Sequence, residues 1–144
     1  MLLGGLIISR NVTIHLHERT RTPAVLIDQA AMQHVLVHVF INAFDSMAGL
    51  PEGTSRRLDI VLADIPEQER VRLSIQDSGP GFPEEILATA FEPFVTARNI
   101  SERNGLGLHF CRTLLSTMDG TISASNGTRG AIICIELPAA RLPP

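Results

Sequence analysis

Apolar and polar residues alternate from Val12 to His17 as VTIHLH, with Val12, Ile14 and Leu16 on one face, which is the period of a half-buried strand. Residues 24–27 read as a short neighbouring strand. The period then changes. From Ala31 the apolar residues Met32, Val35, Leu36, Val39, Phe40, Ala43 and Met47 recur at intervals of three and four, so a helix of about five turns is predicted up to Met47, with Asp28 as its N-cap. Residues 57–63 and 71–76 alternate again, and the short connection containing Pro66 predicts an antiparallel hairpin. Residues 83–89 begin like a helix, with a proline at the first position and Glu84 and Glu85 in the dipole-favoured first turn. A second long helix is predicted over 106–118, stopped by Asp119-Gly120, and strands over 121–125 and 131–137 close the chain. The loose stretches are 49–55, 65–69 and 142–144, and no repeat or low-complexity tract divides the 144 residues, so one domain is expected over 1–144. Strand, helix, paired strands, helix, strands predicts an α+β two-layer sandwich, helices on one face of a mixed sheet.

Composition narrows the chemistry. All 12 positive charges are arginine, because the chain has no lysine. That excludes the P-loop, the protein-kinase fold with its strand lysine, and Schiff-base mechanisms. Net charge is −3 and the arginines are scattered apart from Arg56 and Arg57, so no basic face is offered to a phosphate backbone, and nucleic acid is not an expected partner. Tryptophan and tyrosine are absent, and six phenylalanines leave few platforms for stacking bases. Cys111 and Cys134 stand apart without metal-ligand spacing, as reduced thiols of a cytoplasmic domain do. The opening MLLGGLII has no basic flank or small-residue cleavage site and is too short to span a bilayer, so it reads as the beginning of a folded domain without membrane contact.

On the first helix, His34, His38, Asn42 and Asp45 are spaced four, four and three and form a polar stripe. The stripe admits three readings. It is a solvated face, or two histidines at i and i+4 ligating one zinc, or Asn42 giving an amide oxygen to magnesium, an ion that keeps most of its waters and takes phosphate oxygens for the rest. No glutamate follows the first histidine, which excludes the HExxH protease arrangement.

A second constellation follows the strand ending at Gln76. Asp77-Ser78-Gly79-Pro80-Gly81-Phe82 puts a carboxylate at a strand end with glycines two and four residues on, which permits close backbone approach to a flat ligand; a simple tight turn is the plainer reading. Further on, Asn104-Gly105-Leu106-Gly107-Leu108 opens a helix with glycines, where backbone N–H groups can hold phosphate. Between them lies Phe91-Glu92-Pro93-Phe94.

An NA pair on an amphipathic helix, then DxGxG, FEPF and GLGL, in this order, resembles the catalytic and ATP-binding domain of sensor histidine kinases, a Bergerat-type ATP-binding fold shared with DNA gyrase and MutL. The resemblance covers about residues 6–138. It implies ATP and Mg2+ as ligands. Asn42 then coordinates magnesium, Asp77 accepts a hydrogen bond from the adenine amino group, and Gly79 and Gly81 shape the adenine pocket. Phe91 and Phe94 correspond to the phenylalanine box, Asn99 to Asn104 to a lid, and Gly105, Leu106, Gly107 and Leu108 to its end beside the phosphates. Arg98 stands where many relatives have lysine.

The chain departs from the family pattern at several positions. His38 stands where the family usually has another asparagine, and where gyrase-like members place the glutamate that activates water, which argues against a water-activating ATPase; a histidine there can still accept a proton or bond to phosphate, so His38 joins Asn42 as a candidate catalytic residue. Arg103 replaces the first glycine of the usual GxGxG and stiffens the lid there. Ala131 stands where relatives often carry a threonine that supports adenine binding, and Asp119 replaces the first glycine of a common pair without chemical effect. His17-Glu18 with Pro23 mimics a phosphoacceptor motif, but the proline comes one residue late and His17 lies on a strand pattern. The resemblance therefore implies a protein-histidine kinase domain that passes the γ-phosphoryl group of Mg-ATP to a histidine on a separate helical dimerisation domain, and thence to a response-regulator receiver domain. The competing readings are a nucleotide-binding regulatory module, related to anti-sigma serine kinases or degenerate sensors, and a zinc site on His34 and His38 without nucleotide.

Overall fold

A computed structural model describes residues 12–19, 25, 27–92 and 107–140. Strand β1 (Thr13–Arg19) leads to helix α1 (Gln29–Ala48), then to the hairpin of β2 (Arg57–Ile65) and β3 (Arg70–Asp77). A single-turn helix α2 (Glu84–Leu87), helix α3 (Gly107–Ser116) and strands β4 (Thr121–Asn126) and β5 (Ala131–Pro138) follow. The sheet runs β1-β2-β3-β5-β4. β1 and β2 are parallel, joined through α1 as a parallel pair requires a crossover, and the other neighbours are antiparallel. The α+β two-layer sandwich expected from the element order is the architecture found.

Register decides which face meets the helices. Leu58, Ile60, Leu73, Ile75, Ile133, Ile135 and Leu137 point into one core with Val35, Val39, Phe44 and Met47 of α1 and Cys111 and Leu115 of α3. The alternate positions, among them Asp59, Ser74, Cys134 and Glu136, are half-buried on the opposite face. That face carries charged pairs, the Arg57 guanidinium gripping Asp59 at 2.9 Å and Arg72 reaching Glu136 at 3.1 Å.

Helix α1 begins where Asp28 accepts the Ala31 N–H at 3.2 Å, the N-cap expected. At its far end the Arg56 guanidinium donates to the Met47 and Leu50 carbonyls at 2.9 and 3.0 Å, placing a cation on the negative end of the helix dipole. Between β2 and β3 a 3-10 turn over Pro66–Gln68 ends on Glu69 in the left-handed region.

Four expectations change. β1 forms, yet Ile14 and Leu16 are 37% and 69% exposed rather than half-buried, because α1 packs on β3 and α3 on β4, while β1 lies at the far edge of the sheet. The neighbouring strand expected over 24–27 is represented among the described residues by one bridge, Val25 with Ala139. The helix expected from 83 is one turn, with Pro83 before it rather than inside it. The expected loose stretch 65–69 is taken up by the end of β2 and the 3-10 turn.

Candidate functional site

Asp77, the last residue of β3, is the one buried charged residue among those described, 6% exposed. A charge removed from water needs donors around it. Its Oδ1 accepts the Gly79 N–H at 2.8 Å and, more distantly, the Ala131 N–H at 3.4 Å. The first bond alone is an ordinary Asx turn. The second is not local, for it ties the carboxylate to the start of β5. Gly130 makes this possible: a Cβ there would lie 2.5 Å from the Asp77 carbonyl oxygen and 2.6 Å from Oδ1. Three chain segments thus meet at van der Waals limits around one carboxylate, which fixes the rotation of its side chain.

The turn after Asp77 is pinned from both sides. The Arg57 N–H donates to Ser78 Oγ at 2.8 Å. Asn126 accepts the Phe82 N–H at 2.9 Å through Oδ1 and donates through Nδ2 to the Phe82 carbonyl at 2.8 Å. Gly81 takes φ +81°, where a side chain is strained, and a Cβ would meet Asn126 Oδ1 at 2.8 Å.

Beneath this turn runs α1. Gly79 lies so close to Ser46 that an added Cβ would collide with its hydroxyl. At the other end of the same helical row, Gly107, the first residue of α3, lies against His38, whose Nδ1 is 3.3 Å from where a Cβ would sit. His38, Asn42 and Ser46 are successive i+4 positions, so the Asp77 turn and the N-terminus of α3 reach the helix one turn either side of Asn42. The stripe is therefore not a solvated face: His38, Asn42, Asp45 and Ser46 are half-buried, and only His34 is exposed. Phe91 is tied to α3, its carbonyl oxygen 3.1 Å from His109 Nδ1, which must carry the proton because a carbonyl only accepts.

Of the residues singled out in the sequence, the structure sets Gly79 and Gly107 against the α1 row that carries His38 and Asn42, ties Asp77 to Gly79, packs Gly81 against Asn126 at the same turn, and joins Phe91 to α3. Leu108 is half-buried against the core. Phe94, Arg98, Gly105 and Leu106, with the lid residues 99–104, lie outside the described residues. Ser46, Asn126, His109 and Gly130 take part in these contacts without belonging to any of the sequence motifs. Ser46 continues the stripe at i+4 and was within reach; the others depend on contacts between distant segments.

Comparison with known proteins shows the family and agrees with the fold. Residues 27–141 match the model of the family described as histidine kinase-, DNA gyrase B-, and HSP90-like ATPase. The two-component sensor PprA of Pseudomonas aeruginosa is 32% identical over 109 residues, covering 76% of this chain and 12% of that protein. The sensor protein FixL of Bradyrhizobium diazoefficiens is 31% identical over 118 residues, 81% of this chain and 22% of that protein. The chain thus spans less than a quarter of either relative. Among solved structures, the nucleotide-free catalytic domain of histidine kinase ThkA superposes with a TM-score of 0.75 at 28% identity, covering 96% of this chain and 86% of that one. ThkA in complex with the response regulator protein TrrA superposes with a TM-score of 0.67 at 25% identity, covering 96% of this chain and 37% of that one. No helix among the described residues is long and apolar enough to cross a membrane. By motif, fold and sequence this chain belongs to the histidine kinase-, DNA gyrase B- and HSP90-like ATPases, as an ATP-binding domain of the sensor histidine kinase kind.

Proposed function

We propose that residues 1–144 form one catalytic domain that binds Mg-ATP between α1, the Asp77 turn and α3 and donates the γ-phosphoryl group to a histidine on a helical dimerisation domain. The observation that carries this reading is the convergence of the Asp77 turn and the α3 N-terminus on either side of Asn42. Asp77, its Oδ1 engaged by Gly79 and Ala131, presents its carboxylate to the adenine amino group. Gly79 and Gly81 let the base approach the backbone, and Phe91 and Phe94 take the part of the phenylalanine box. The α3 N-terminus, from Gly107, receives phosphate oxygens, as helix N-termini do. Arg98, Gly105, Leu106 and Leu108 complete the nucleotide contacts.

Asn42 offers magnesium a neutral amide oxygen, which suits an ion that keeps several waters and takes its remaining ligands from phosphates. When bound, the ion neutralises charge on the β- and γ-phosphate oxygens. The chain's residues then do what phosphoryl transfer chiefly needs, positioning the donor in line with its acceptor. The acceptor imidazole nitrogen attacks the γ-phosphorus, the bond to the β–γ bridging oxygen breaks, ADP leaves, and the imidazole gives up its N–H proton. No water needs activating, so a histidine at position 38 in place of a glutamate is compatible with the reaction. The phosphoryl group passes from the histidine to a receiver domain, a partner supported by the complex known for ThkA.

Calorimetry with ADP and magnesium is expected to give 1:1 binding, and incubation with ATP and an isolated dimerisation domain to give acid-labile phosphohistidine. Absence of binding at millimolar nucleotide would refute the reading. Binding without transfer would leave a regulatory nucleotide-binding module.

A further inference from the structure

His34 and His38 occupy one row of α1, a turn apart, and their Nε2 atoms lie 3.0 Å from each other. The rings are tilted by 51° with centroids 4.6 Å apart. Two imidazole nitrogens, each about 2.0–2.1 Å from one ion, are about 2.9 Å apart at a right angle and about 3.3 Å apart at the tetrahedral angle. The pair is therefore already spaced to grip a single ion. Both rings also have neighbours outside their own row of the helix. His34 meets the edge of Phe110 at 5.1 Å, and His38 has the Gly107 backbone beside its Nδ1.

We infer that His34 and His38 form a two-imidazole site for a borderline divalent transition ion of the zinc, nickel or copper class, distinct from the magnesium position proposed at Asn42. In the metal-free pair one Nε2–H donates to the other Nε2; on metal binding the donor ring's proton shifts through solvent from Nε2 to its own Nδ1, so both rings stay neutral imidazoles and each Nε2 gives the ion a lone pair. Imidazole suits these ions, whereas magnesium prefers oxygen, so the two sites select different metals. His34 is exposed, which opens the site to solvent. The proposed site has these two protein ligands, with water in the remaining positions; no cluster of three or more histidine, cysteine or acidic side chains placed to hold an ion occurs among the described residues.

The test uses chelator-treated protein without nucleotide, titrated calorimetrically with zinc chloride and, as a second probe, nickel chloride. Wild type is expected to take up one equivalent. His34→Ala and His34→Gln, the second retaining polarity and bulk, are each expected to lose at least about tenfold in affinity, since one of two protein ligands is gone. A His15→Ala/His17→Ala control, on β1 and away from the pair, should bind within about twofold of wild type. No uptake by wild type, or unchanged affinity in either folded His34 variant, overturns the inference. ADP–magnesium binding measured on the same samples should be unaffected by His34→Gln; its absence in wild type would count against the nucleotide reading alone.

Discussion

At the scale of single residues, Asp77 carries the sharpest consequence. Its Oδ1 is committed to the Gly79 and Ala131 N–H groups, both donors. In Asp77→Asn the amide oxygen must keep that place, so the NH2 group turns toward the ligand and faces the adenine amino group donor to donor. Leaving such a pair mismatched costs about 1–3 kcal/mol. The variant should therefore lose most of its preference for ATP over GTP while retaining the fold, as competition binding with the two nucleotides would report; an unchanged preference would place adenine recognition elsewhere. Asp77 was legible in the sequence because its motif is local, a carboxylate and two glycines within five residues. Gly130 was not, because nothing near it announces that its backbone packs against Asp77, more than fifty positions earlier, too closely for any side chain.

Among the elements, α1 was the most legible, since a long run with period near 3.6 behind an aspartate cap leaves little choice, and it spans Gln29–Ala48 with that cap in use. β1 shows the limit. Alternation reports that one face is apolar, and only the strand order reveals that this strand lies at the edge with Leu16 uncovered. The outer face of β2 gives a pH prediction. Arg57 beside Asp59 holds its carboxyl below the ordinary value of 3.8, partly offset by burial. A lowered folded-state value means that the stabilisation is complete above the unfolded value and is lost as pH falls through the folded one. Both partners are partly exposed, so the pair contributes no more than about 1 kcal/mol. Urea unfolding of Arg57→Ala should show a small loss of stability near neutrality that fades as the pH falls below the ordinary value of 3.8 and Asp59 protonates; a loss independent of pH would assign the effect to packing instead.

On the scale of the whole molecule, the order of elements was enough to predict a two-layer sandwich, whereas the placement of β5 between β3 and β4 was not, because pairing partners far apart in sequence leave no periodic trace. The two cysteines report on this layering. Cys111 is buried between the helices and the sheet, its thiol pushed up to about 12 by desolvation, while Cys134 lies half-buried on the open face. Since the thiolate is the reactive form, an alkylating reagent at neutral pH should modify Cys134 in the native protein and reach Cys111 only through unfolding. ADP with magnesium should slow Cys111 modification by stabilising the folded state. Equal native rates at both thiols would contradict the packing described.

The closure around Asp77 also bears on when the protein becomes competent. Ala131 follows Asp77 by 54 positions, and between them the chain must complete α3, form β4 and turn back. Contacts of that separation are slow to form, because the entropy of closing the loop is spent before they contribute. A nascent or truncated chain ending before residue 130 would already contain the residues of α1 and of the β2–β3 hairpin, yet it would lack the N–H and the bare backbone that orient the carboxylate. In the proposed reading, nucleotide recognition is thus acquired late in the folding of the domain, when β5 docks, and a domain lacking that strand should not hold adenine.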